Sequence, residues 1–110
     1  MLWEMTMLFR EKHIKKIMRA EKTMTRRTHK RTFKVGGVYG IRSWYLERPK
    51  HYVKITSRFR QRLGDMTFED VRKEGYETFE DFKRAWIEIN GEWGPDQLVW
   101  VYEFEVTDSR

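Results

Sequence analysis

Ile14-Lys15-Lys16-Ile17-Met18-Arg19-Ala20-Glu21-Lys22-Thr23-Met24-Thr25-Arg26-Arg27 changes its period partway along. The first half continues a pattern begun at Phe9. Phe9, His13, Ile14, Ile17 and Met18 share one face of a helix, with Lys15, Lys16 and Arg19 on the other. From Glu21 onward, threonines replace helix formers, so the chain passes into an extended or turning segment. A helix thus delivers a lysine, two threonines and two arginines into a short non-helical run, and the rest of the chain is read around that junction.

Upstream, Trp3-Glu4-Met5-Thr6-Met7 alternates as a strand does. Downstream, a basic loop from Arg27 to Lys34 leads to a turn at Val35-Gly36-Gly37. Val38 to Tyr45 reads as a strand, Arg48-Pro49-Lys50 as a turn, and Tyr52-Val53-Lys54-Ile55-Thr56 as a second strand extended by the basic run Ser57 to Arg62. Thr67 with Asp70 and Thr78 with Asp81 mark two helix starts, each a variant of the capping box. The first helix ends near Gly75. The second carries Phe79, Phe82, Trp86 and Ile89 as an apolar stripe that packs on the sheet. The last strand runs from Gln97 to Thr107, with Leu98, Trp100, Tyr102, Phe104 and Val106 on one side. The fold class is α+β, with mainly antiparallel strands and a helical insertion before the last one.

One domain over residues 1–110 accounts for the length and for the absence of a linker or repeat. Seventeen Trp, Tyr and Phe residues imply an aromatic core. With no cysteine, disulfides, thiolate catalysis and zinc–thiolate sites are excluded. His13, His29 and His51 lie too far apart for metal-ligand spacing, so neither a metal nor any other cofactor is expected. No run is apolar enough to span a membrane, and the N-terminus is too charged for a signal peptide, so a cytoplasmic monomer is expected.

The net charge of +6 is unevenly placed. Residues 1–68 hold 18 Lys or Arg against 5 Asp or Glu, and residues 69–110 hold 5 against 12. Such polarity presents a basic region to an anionic partner, most commonly nucleic acid. Arg26, Arg27, Lys30, Arg31 and Lys34 form the densest cluster, and Arg58, Arg60 and Arg62 alternate along one strand face. Lys22, Arg26, Arg27, Lys30, Arg31, Lys34, Arg58 and Arg60 are the candidate contacts to RNA phosphates. Trp44, Tyr45 and Phe59 are candidates to stack on bases.

Several segments, in order, resemble the ASCH domain family. Glu21-Lys22-Thr23-Met24-Thr25-Arg26 after the helix resembles the motif G-x-K-x-x-T-x-R, with Glu21 near the usual glycine and either Arg26 or Arg27 standing for the arginine. Lys34-Val35-Gly36-Gly37 looks like the family's K-x-G-D turn, with Gly37 where Asp is common. Asp65-Met66-Thr67-Phe68-Glu69-Asp70 followed by Lys73-Glu74-Gly75-Tyr76 resembles its helix ending in E-G-f. The resemblance implies a PUA-like β-barrel with two to three helices packed beside it and a cleft between them that receives RNA or a nucleoside. It also implies, through the family's small acetylcytidine amidohydrolases, a catalytic set of Thr25 as nucleophile, Lys22 as base and Glu74 as proton donor. A threonine needs a base beside it. A lysine serves as that base when burial or nearby positive charge lowers its pKa. Proton donation by Glu74 calls for a partly buried carboxyl. A ribonuclease is the weaker alternative, because no paired histidines are apparent.

Overall fold

The computed structural model describes residues 6–28, 32–44 and 48–108. Residues 3–5 of the expected first strand lie outside the described residues, as do Lys30, Arg31 and Tyr45. The elements run β1 (Thr6–Leu8), α1 (Glu11–Met18), β2 (Met24–Arg27), β3 (Val38–Arg42), β4 (His51–Arg62), a 3-10 turn (Leu63–Asp65), α2 (Phe68–Lys73), α3 (Phe79–Asn90) and β5 (Leu98–Thr107). The class is α+β, as the patterning predicts.

The junction read in the sequence is a helix stop followed by a strand. At the end of α1, the Glu21 N–H donates to the Lys16 carbonyl at 2.8 Å and the Ala20 N–H to the Ile17 carbonyl at 3.0 Å. This Schellman pattern requires a left-handed residue, and Ala20 supplies it at φ 61°. The chain then straightens into β2. At the end of α2 the same pattern recurs, with Gly75 at φ 95° and Tyr76 donating to Val71. The Thr67 and Asp70 side chains cap α2 reciprocally, at 3.0 Å each way. On α3 only the Thr78 hydroxyl caps, because the Asp81 carboxylate turns to Arg84 instead.

The strands pair in the order β1-β3-β4-β5-β2, and all pairs are antiparallel except β1 with β3. Both faces of the sheet are covered. Met7, Phe9, Ile17, Phe33 and Ile41 pack on one face with Tyr102 and Phe104 of β5. Leu63, Val71, Phe82 and Trp86 pack on the other with Val99 and Val101. The alternation read for β5, with Val99 and Val101 opposite the side of Leu98, Trp100, Tyr102, Phe104 and Val106, is the one observed, but burial does not follow the longer apolar side to its ends. Val99 and Val101 are fully buried beneath α2 and α3, while Leu98 and Val106 are exposed. Likewise Ile89 at the end of the α3 stripe is exposed rather than packed on the sheet.

A β-bulge in β4 sets the faces of its second half. Ile55 lies opposite Phe104, yet Ser57 lies opposite Glu103, so Thr56 is the extra residue. The phase slip moves Arg58 and Arg60 to the face of Tyr102 and Trp100, and turns Phe59 and Gln61 toward the face of Val101 and Val99. Without the bulge both arginines would point into the core beneath α2 and α3.

The expected closed barrel is not formed among the described residues. Backbone pairing stops at β1 on one edge and β2 on the other. On the β2 edge, a strand of four residues pairs with β5 alone and offers few ladder bonds for closure. A side chain reaches between the two edges instead: Arg27 of β2 donates to the carbonyl of Leu8 of β1 at 2.8 Å. No helix among the described residues is long and apolar enough to cross a membrane.

Candidate functional site

The open seam between the two edges is a cleft of about 400 Å³. Leu8, Phe9, Arg10 and His13 line it from β1 and α1, Thr25 to Thr28 from β2 and the residue after it, and Phe82, Trp86 and Ile89 from α3. Lys22, Glu74 and Tyr76 line its remaining wall. Thus Lys22, Thr25, Arg26, Arg27 and Glu74, all named from the sequence, meet in one space, although Glu74 lies far along the chain from the others.

The position of Glu74 follows from local structure. It caps the C-terminus of α2, and the left-handed Gly75 turns the chain away immediately afterward. The segment before β2 is tied to that helix end, since the Thr23 N–H donates to the Lys73 carbonyl at 2.8 Å. Lys22 Nζ consequently donates to the Glu74 carbonyl at 2.8 Å and to Glu74 Oε1 at 3.1 Å. Arg26 donates to Glu74 Oε2 at 2.8 Å and to Gln61 Oε1 at 2.6 Å, and it also faces Asp70 at 3.4 Å. Of the two arginines open to the motif, Arg26 is the one that meets Glu74. Lys22, Thr25, Arg26 and Glu74 are all buried.

Burial holds the Lys22 ammonium below its ordinary value; Glu74 opposes this, and Arg27 and Arg26 reinforce it. Thr25 Oγ1 accepts a hydrogen bond from Arg27 Nε at 3.3 Å, which leaves the hydroxyl's own proton free to be given. Arg27 lies over the Phe9 ring at 4.6 Å, and burial lowers its pKa to about 10. Two buried donors, Arg26 Nε and Trp86 Nε1, have no partner, and both belong to residues lining the cleft. Such orphans are rare in a settled interior and are at home where a ligand brings acceptors.

The other sequence candidates fall elsewhere. Lys34 is exposed, with its backbone N–H bonded to Tyr39 Oη at 2.8 Å, and it does not line the cleft. Arg58 and Arg60 stand on the sheet face beside Trp100, outside the cleft lining. Phe59 points to the opposite face from them, and Trp44 is exposed. Sequence reading missed His13 and Tyr76, whose Nε2 and Oη are 3.0 Å apart in the cleft wall. It placed Phe82 and Trp86 in the stripe that packs on the sheet and Phe9 on a helix face, whereas all three also wall the cleft. Among the described residues no group of three or more His, Cys, Asp or Glu is placed to hold a metal ion.

No family model matches the sequence, and no curated protein matches it at a significant level. The fold does have solved counterparts. An ASCH domain from Lactobacillus crispatus JV V101 superposes with a TM-score of 0.64 at 19% identity, over 84% of this chain and 68% of that one. A protein from Enterococcus faecalis V583 assigned to DUF984 superposes with a TM-score of 0.67 at 18% identity, over 87% of this chain and 70% of that one. The chain has the fold of an ASCH domain, as the ordered motifs of its sequence predict.

Proposed function

We propose that this chain, which has the ASCH-domain fold, is a single domain of that family whose cleft receives a nucleobase, carried by a free nucleoside or turned out of an RNA strand. One observation carries the reading: a 400 Å³ space joins aromatic walls to a buried polar cluster of Lys22, Thr25, Arg26 and Glu74. A nucleobase has apolar faces that stack on rings and a polar edge that takes directed hydrogen bonds, which is the same division. The unpartnered donors of Arg26 and Trp86 suit the carbonyl oxygens and ring nitrogens of that edge. Titration with the four nucleosides and a short RNA, followed by tryptophan fluorescence, tests it. Saturable binding that weakens at least tenfold in Glu74→Gln, with the fold intact by circular dichroism, is expected. No saturable binding of any nucleoside or RNA would remove the reading.

A second reading, hydrolysis of an acylated cytidine amine, is favoured by Lys22. A buried lysine held below its ordinary pKa, in one cleft with a threonine hydroxyl and a carboxyl group, is equipped as a base. Neutral Lys22 takes the Thr25 proton as Oγ1 bonds to the acyl carbon. The C–N bond then breaks as the Lys22 ammonium passes its proton through the Glu74 carboxylate, 3.1 Å away, to the departing amine. Water hydrolyses the resulting ester and regenerates Thr25. Thr25→Ala is expected to abolish hydrolysis of acetylcytidine while leaving nucleoside binding nearly unchanged. Turnover that persists in Thr25→Ala would exclude Thr25 as the nucleophile.

A further inference from the structure

Three guanidinium groups share one sheet face beside the cleft. Arg27 lies opposite Trp100 in the β2–β5 ladder, and Trp100 lies opposite Arg60 in the β4–β5 ladder. One pair further along, Thr25 lies opposite Tyr102, and Tyr102 opposite Arg58. The Arg58 and Arg60 guanidiniums lie 5.1 and 5.0 Å from the same Trp100 ring. Among the described residues none of the three forms an ion pair with a carboxylate, and Arg27 feels one through space, that of Glu74. Arg58 donates to the Phe33 carbonyl at 3.2 Å, and Arg27 to the Leu8 carbonyl and the Thr25 hydroxyl. Arg26, on the opposite face, has both Glu74 and Asp70. Like charges side by side on a sheet repel, and an aromatic ring between them offsets only part of that cost. An anion bound among them removes it.

Resting on the nucleobase reading of the cleft, we infer that the cleft's ligand is a nucleotide within a single RNA strand, whose adjoining phosphodiesters lie on the track Arg27, Arg60 and Arg58 around Trp100. Continuity favours this occupant over an acidic protein surface. Arg27 both lines the cleft and begins the track, so a base in the cleft and its phosphates on the track belong to one molecule. Planar guanidiniums bind phosphate oxygens through paired N–H groups, and the Trp100 indole that Arg58 and Arg60 share adds apolar surface beside them. The β-bulge at Thr56 makes the track possible, because it brings Arg58 and Arg60 to the sheet face that carries Arg27 and Thr25.

The test compares cytidine, cytidine 5′-monophosphate and a six-nucleotide single-stranded RNA, on the full chain and on Arg58→Ala/Arg60→Ala. Expected is strand binding at least tenfold tighter than cytidine at low salt. In the double variant that gain is lost, the slope of log affinity against log salt flattens by about 1.4 for two phosphates, and cytidine affinity is unchanged. Arg58→Lys/Arg60→Lys should keep most of the slope. A strand that binds no better than cytidine, or a double variant with the parent's slope, overturns the track and leaves the cleft reading standing. A full gain already with the monophosphate overturns the strand in favour of a free nucleotide. Absence of binding by all three ligands condemns the cleft reading itself.

Discussion

His13 is the residue whose chemistry the structure changes most. Its Nε2 is 3.0 Å from Tyr76 Oη, its ring is edge-on to the tyrosine, and it lies among Lys22, Lys16, Lys12 and Arg10. Burial first, and those cations second, push its pKa down to about 3. The folded state therefore refuses a proton that the unfolded chain accepts near pH 6.5. Full stability is present above pH 6.5 and is lost as pH falls toward 3, at about 1.4 kcal/mol per pH unit. Urea unfolding at pH 8 and pH 5 should show a loss of roughly 2 kcal/mol that is absent in His13→Gln, with carboxylates still largely ionised in that window. Equal losses in parent and variant would show that His13 is protonated in the folded protein. The residue was not legible as part of a site. A lone histidine on an apolar helix face reads as core, and nothing near it in the sequence announces Tyr76. Lys22, Thr25 and Glu74 were legible only through the ordered motifs, because their convergence depends on two helix ends meeting in space.

At the scale of elements, those ends do the positioning, and one of them carries strain. Ala20 holds the left-handed site that closes α1, one residue before the Glu21 that sequence comparison set near the motif's glycine. A Cβ in that conformation costs about 1–2 kcal/mol, against about 0.5–1 kcal/mol of extra backbone entropy for glycine. Ala20→Gly should therefore raise the urea midpoint by a stability gain of up to about 1 kcal/mol, with an unchanged m-value. Gly75→Ala should do the opposite and cost 1 kcal/mol or more. Its φ is 95°, and an added Cβ would lie 3.3 Å from Lys16 Cδ and 3.4 Å from Lys22 Cβ. A destabilising Ala20→Gly would show that α1 ends otherwise than by this motif. Helix starts and stops were readable because caps are local chemistry. The β4 bulge was not, because an extra residue at Thr56 leaves no mark in the alternation of Tyr52 to Arg62, and the two-sided core of β5 follows from helices that pack on it from distant sequence.

The whole molecule is an open sheet drawn toward a cylinder, and its seam is where ligand chemistry gathers. A completed ladder between β1 and β2 would fill the space that the cleft occupies. Arg27 substitutes for that ladder by donating to Leu8, resting on Phe9 and supporting Thr25. The charge asymmetry readable in the sequence thus has a structural consequence: the basic first half of the chain supplies both seam strands, and the acidic second half supplies Glu74 across from them. Arg27→Met keeps an apolar stem over Phe9 and removes the hydrogen bonds. Its expected cost is about 1.5–3 kcal/mol, the range for a bond to a charged donor. The loss should be local. Amide exchange should quicken in Thr6–Leu8 and Met24–Arg27, while the central β4–β5 ladder exchanges at the rate set by global unfolding. Uniform acceleration across all five strands would mean that Arg27 supports the fold as a whole and that the seam is held by packing alone.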